Sequence, residues 1–131
     1  MRFRYFDPMQ QSVVEGQLSA GADVAELVGR IADLGVDCSP ALEIVDADGT
    51  SIVLGVDHDR AVVLWTTADG TTRHSIGGAA GERAMFDYFG ARTQMPGHYA
   101  VPLATAVTAA GSYVDRFPGS LAAPALPMAL D

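Results

Sequence analysis

The chain has no lysine, so its positive charge rests on 8 arginines set against 16 acids, a formal net charge of -8. Binding a polyanion relies on Lys and Arg displacing condensed counterions, so nucleic acid is not an expected ligand and a basic partner is favoured. Cysteine is almost absent as well. Cys38 alone cannot close an internal disulfide, and an unpaired thiol suits a reducing compartment, which makes a cytoplasmic location the expectation. With Asp37 beside it, Cys38 reads as a bystander and not a nucleophile, because a neighbouring carboxylate disfavours the thiolate. Long apolar runs are missing too, and the N-terminal residues alternate Arg with aromatics, so neither a membrane span nor a secretory signal is expected.

What remains has the make-up of a globular domain. Hydrophobic residues are 49% of the chain and charged ones 18%, away from the composition of disordered chains. The 131 residues suit one domain, 1–131, around one core. The acids are unevenly spread: Asp37, Glu43, Asp46, Asp48, Asp57 and Asp59 follow one another without an intervening Lys or Arg. Such a stretch can steer a cationic surface by its potential, and it reads equally as a solvated, solubilising face.

Periodicity sets the architecture. Residues 2–6 read as a short strand, with Val13 and Val14 in another after a turn at Asp7-Pro8. From Asp23 the period changes, and Val24, Leu27, Val28, Ile31 and Leu34 fall on one side of a helix. Asp23 is placed to cap its first turn with Glu26 at the reciprocal capping-box position, and Gly35 tolerates the left-handed conformation that ends a helix. Strands are expected over 42–46, 51–56, 61–67 and 71–76. Asp48-Gly49, the corner 57–60 and Asp69-Gly70 supply the reversals. The glycine-rich segment 77–81 breaks the pattern as a flexible connection. A fifth strand then spans 84–89 with Phe86 and Tyr88 on one face, and 90–100 reads as a polar loop. Pro102 suits the first turn of a second helix whose stripe is Leu103, Ala106, Val107, Ala110, Tyr113, Val114 and Phe117, stopped by Pro118-Gly119. Pro124 and Pro127 confine any closing strand to an edge. The expectation is an α+β fold, a curved and mainly antiparallel meander with two helices packed on one face.

No catalytic constellation accompanies this pattern. His58, His74 and His98 have Asp57 and Asp59 nearby, yet none has a second ligand at a helical i, i+4 offset, and Asp-x-Asp at a corner has a turn explanation. The stretch from Asp46 differs from a calcium loop in the place of its Gly and in ending on Asp57 where a bidentate Glu is needed. Segment 77–81 lacks phosphate-loop spacing and leads into a strand, and no Gly-x-Ser-x-Gly elbow occurs. No metal or cofactor is therefore expected. Trp65, among apolar neighbours, reads as core, whereas Tyr88, His98 and Tyr99, at loops and strand ends, read as interface aromatics.

One order of residues points to a family. Leu54-Gly55-Val56-Asp57, Leu64-Trp65, Tyr88-Phe89-Gly90, Pro96 and Val101-Pro102-Leu103, over the chain from about Val24 onward, resemble the first-numbered immunity family of bacterial polymorphic toxin systems. Two places depart from its pattern. Gln94-Met95-Pro96 stands where relatives carry an acid before the Pro step, and Leu126-Pro127-Met128 stands where they commonly carry a Trp. The resemblance implies an α+β inhibitor that is not an enzyme, cognate to a toxin that is often a nucleic-acid deaminase or nuclease domain. The partner-binding surface expected for it comprises Asp46, Asp48, Asp57, Asp59, Asp87, Tyr88, His98 and Tyr99, set as one acidic edge over a basic toxin cleft. A secretion chaperone or adaptor, and a small enzyme, are the competing readings.

Overall fold

The computed structural model describes residues 1–78, 81–116 and 123–130. The chain opens with two strands, β1 (Arg2–Asp7) and β2 (Ser12–Gln17), and then helix α1 (Ala22–Ala32). Strands β3 (Leu42–Val45), β4 (Ser51–Asp57), β5 (Arg60–Thr66) and β6 (Thr72–Ser75) follow as an antiparallel meander. Next come the hairpin β7 (Ala84–Tyr88) and β8 (Ala91–Met95), a single 3-10 turn (Gly97–Tyr99), the two-residue strand β9 (Val101–Pro102), helix α2 (Leu103–Arg116) and strand β10 (Met128–Leu130). Together they form the expected α+β fold. The main sheet runs β10-β6-β5-β4-β3-β1-β2 with β9 against β5, so the tail strand does lie at an edge, as its prolines require.

The helices cover one face. Val24, Leu27, Val28 and Ile31 of α1 and Ala106, Ala110, Tyr113 and Val114 of α2 pack on Tyr5, Ile44, Ile52, Leu54, Val56, Val63 and Trp65. Small residues let the helices meet closely. A Cβ on Gly21 would overlap the Gly111 carbonyl, and the Gly21 N–H donates to the Asp115 carboxylate at 2.7 Å. Gly35 has the left-handed backbone expected of it, with φ +65°.

Several expectations need correction. Asp23 lies inside α1, and its carboxylate accepts the N–H groups of Ser19 and Ala20 in the preceding turn. Gly21 stands at the cap with no side-chain bond, and Glu26 pairs with Arg30 one turn on, so no capping box forms. The span 90–100 is not a loop, because Ala91–Met95 pair residue for residue with β7. Pro102 precedes the helix as part of β9, where it pairs with Arg60 of β5. Residues 79–80 of the glycine segment, and Phe117, Pro118 and Gly119 at the expected end of α2, lie outside the described residues.

The second face of the sheet is covered as well. Ala84 and Phe86 of β7 pack on Ala41, Val53 and Val62, joined by Leu64, Met95, Tyr99 and Ala100. This explains why β4 and β5 are apolar along most of their length and do not alternate, as befits strands buried on both sides. Gly55 makes room for the second layer, since a Cβ there would overlap the Phe86 ring.

Candidate functional site

The eight residues expected to form one edge are divided among several places. Asp46 and Asp48 sit in the turn between β3 and β4, while Asp57 and Asp59 sit in the turn between β4 and β5. These are opposite ends of the seven-residue strand β4, about 20 Å apart at an ordinary strand rise. A single acidic edge through all four does not exist.

At the β4–β5 end the acid is tied up in structure. Asp57 accepts His58 Nδ1 at 2.7 Å, Arg60 at 3.2 Å and the Met85 N–H at 3.1 Å. Burial pushes its pKa up, but these donors outweigh burial and hold it below the ordinary value. Arg60 also donates to the carbonyls of Glu82 and Arg83 at 2.8 and 2.9 Å, clamping the approach to β7 onto the sheet corner. Around this network lies a cleft of about 690 Å³, lined by both signs: Asp37, Asp59 and Glu82 face Arg83 and Arg92. His58 projects there from a left-handed backbone, φ +58°, with its side chain 83% exposed. Cys38 also lines it. Burial raises the thiol's pKa although Arg92 opposes the shift, so no thiolate is prepared there.

At the opposite end the acids are less compensated. Asp48 accepts the Thr50 N–H, the chief cause of its lowered pKa, with the Thr50 and Asp46 side chains adding to it. Asp69, in the β5–β6 turn, is held down to about 2 by the Thr67 hydroxyl and the Thr71 N–H. Asp46 is buried, and burial raises its pKa; Oδ1 accepts the Asp48 N–H, while Oδ2 has no hydrogen-bond partner. Asp48 and Asp69 share a pocket of about 260 Å³ with Trp65 and Tyr113. Trp65 is core, as expected, and the Arg73 guanidinium lies over its ring at 5.5 Å.

The aromatic candidates part in the same way. Tyr99 is stacked flat on the buried His74 ring at 3.6 Å, and its carbonyl accepts the Ser75 hydroxyl, so it serves the fold. His98 is exposed and meets Tyr99 edge-on. Asp87 lies in β7, which joins the segment before β3 through Ala41 N–H to Asp87 O and Asp87 N–H to Ser39 O, both 2.8 Å. Tyr88 is 38% exposed, and its hydroxyl donates to Glu43 Oε2 at 2.9 Å.

That last bond belongs to a cluster the sequence did not disclose. Glu43 is buried, and its other oxygen accepts Arg4 Nε at 2.6 Å. The Arg4 guanidinium lies 4.8 Å above the Phe89 ring, and Phe89 meets Tyr88 edge-to-face at 5.0 Å. The carboxylate is the first cause of the raised Arg4 pKa; burial, then Glu43, raises that of Tyr88. Phe89 and Gly90 form the two-residue turn of the β7–β8 hairpin with φ +50° and +94°, the type I′ pattern. The available signal was Phe89-Gly90 itself, since a Gly after a strand end marks a turn. Glu43 and Arg4 gave none, because their pairing joins strands far apart in sequence.

The arrangement offers recognition chemistry: exposed carboxylates held within their own turns at one end, mixed charge at the other, and a fixed aromatic and arginine cluster on the hairpin face. Among the described residues no three His, Cys, Asp or Glu side chains converge as a metal site, and no helix is long and apolar enough to cross a membrane. The family model described as Immunity protein Imm1 matches residues 15–121 of the 131. No curated protein matches the chain.

Proposed function

The chain belongs to the Immunity protein Imm1 family, and on that premise we propose that it binds and inhibits a cognate protein toxin and transforms no molecule itself. The observation that carries this reading is the family match across residues 15–121. The toxin is a nucleic-acid deaminase or nuclease domain with a basic substrate cleft. Carboxylates stand there in place of phosphates, which a net charge of -8 and the absence of lysine support. Of the acids first grouped together, Asp48 with neighbouring Asp69 suits this role best, being exposed and bound only within its own turn. Asp57 is consumed by His58, Arg60 and Met85, and Asp59 stands where arginines offset the acids. The protein acts in the cytoplasm, where its toxin is made.

The test is coexpression with the neighbouring toxin reading frame in a sensitive host. Survival that depends on this chain is the expected result. Continued killing with the chain present in soluble form overturns the reading. Improved toxin solubility or export without protection indicates a chaperone, and turnover of a substrate by the isolated chain indicates an enzyme.

A further inference from the structure

We infer that the tip of the β7–β8 hairpin, Tyr88 and Phe89 braced by Arg4 and Glu43, is the anchor by which this chain seats in its toxin, and that it fits an apolar pocket bordered by basic side chains. The inference rests on the proposed inhibition and adds the place and chemistry of contact.

Phe89 occupies a backbone position that suits it poorly. A two-residue turn with both φ values positive favours Asn-Gly or Asp-Gly, and a bulky residue at φ +50° is an outlier. The core does not require it there, since neither buried apolar cluster includes Phe89 or Tyr88. A strained aromatic outside the core, at a hairpin tip, is a reason to look for a ligand.

The cluster is ordered before any partner arrives. Both oxygens of the buried Glu43 are used, one by Arg4 and one by Tyr88, and Arg4 in turn covers Phe89. Rings held this way lose little freedom on binding. Tyr and Arg are also the residue types that dominate protein interfaces.

Charge selects the occupant. Arg4 and Glu43 neutralise each other, so the anchor is a nearly uncharged spot on a strongly acidic chain. Its border carries the exposed acid Glu15, which stands opposite Arg4 across β1 and β2. A basic surface with an apolar hollow complements that layout. A second copy would bring the same acidic border against this one, which is repulsive.

The experiment measures binding of the full chain to the toxin domain encoded beside it, by titration calorimetry and surface kinetics, with thermal unfolding of each variant. Phe89→Asn installs the favoured turn pair, so the melting temperature is expected to hold or rise. The dissociation constant should increase roughly tenfold or more, mainly through faster release. Phe89→Ala should weaken binding in the same direction, while Glu26→Gln, on α1 across the sheet from the hairpin, should leave it within about twofold. A folded Phe89→Asn chain that binds within about twofold of wild type overturns the anchor while leaving inhibition standing. A Phe89→Asn chain that melts lower assigns Phe89 to the fold and overturns it too. If wild type binds the toxin but Phe89→Asn changes only self-association, the occupant is a second copy and the inference is wrong. A wild-type chain that binds no toxin removes the proposed inhibition, and the anchor falls with it.

Discussion

Gly55 shows how one missing side chain permits a layer. The Phe86 ring occupies the space a Cβ would need, so Gly55→Ala is expected to cost about 1–3 kcal/mol by overpacking. Urea denaturation checks this; an unchanged midpoint would mean the ring moves freely. Asp46 makes the opposite case. Burial raises its pKa, so the ionised form is worse off folded than unfolded. That penalty is complete above the folded pKa and fades as pH falls through it. Asp46→Asn keeps an acceptor for the Asp48 N–H while removing the charge. It should therefore melt higher than wild type at pH 7, with the advantage shrinking as pH falls through the raised folded pKa and gone below about pH 4, the ordinary carboxylate value. Thermal scans across pH decide it, and a lower melting point at pH 7 would refute the account. Asp57 runs the other way: its depressed pKa stabilises the fold above the ordinary carboxylate range and ceases to do so as pH falls through the folded value. Single residues were unevenly legible. The Asp48-Gly49 and Asp69-Gly70 turns and the buried Trp65 follow from residue type and neighbours. Asp23 does not, because residue type says that a carboxylate will accept backbone N–H groups near a helix start, not whether it reaches forward or back.

Among elements, the β7–β8 hairpin is the one whose attachment can be separated from its own pairing. Beside the Phe86 contact it is held by the Arg60 clamp on the carbonyls of Glu82 and Arg83, and by the Asp57 bond to the Met85 N–H. Arg60→Met removes the clamp, keeps much of the apolar stem and leaves the β4–β5 turn in place. Amide exchange should then accelerate in β7 and β8 while β3 to β6 stay protected. Uniform acceleration throughout the sheet would show instead that the clamp supports the whole fold. The meander β3 to β6 could be read from its turn residues and apolar runs. So could α1, from its 3.6-residue stripe. β8 could not, since Ala-Arg-Thr-Gln-Met is mostly polar and its alternation is too weak to mark a strand, whose conformation comes from pairing with β7. A two-layered sheet was implicit in the unbroken apolar stretch of β4, which a half-exposed strand would not carry. What the sequence withheld was the hairpin as the covering element, a matter of packing between distant segments.

For the molecule as a whole, the net charge of -8 sets how fast a basic partner arrives. Association with the toxin domain should slow as salt rises from about 0.05 to 0.5 M, with dissociation much less affected. Stopped-flow mixing measures both, and a salt-independent association rate would remove steering from the mechanism. The candidate surface was legible only in its chemistry. Acidity and aromatics could be counted along the chain, but the strand that puts Asp48 and Asp59 at opposite ends turns one presumed edge into two. The hairpin lies across the sheet as a separate two-stranded unit, with its turn outside both apolar clusters. Residues at that turn can therefore be exchanged over generations with little disturbance to the scaffold beneath, and a lineage facing new rivals could retune what it neutralises there without relearning how to fold.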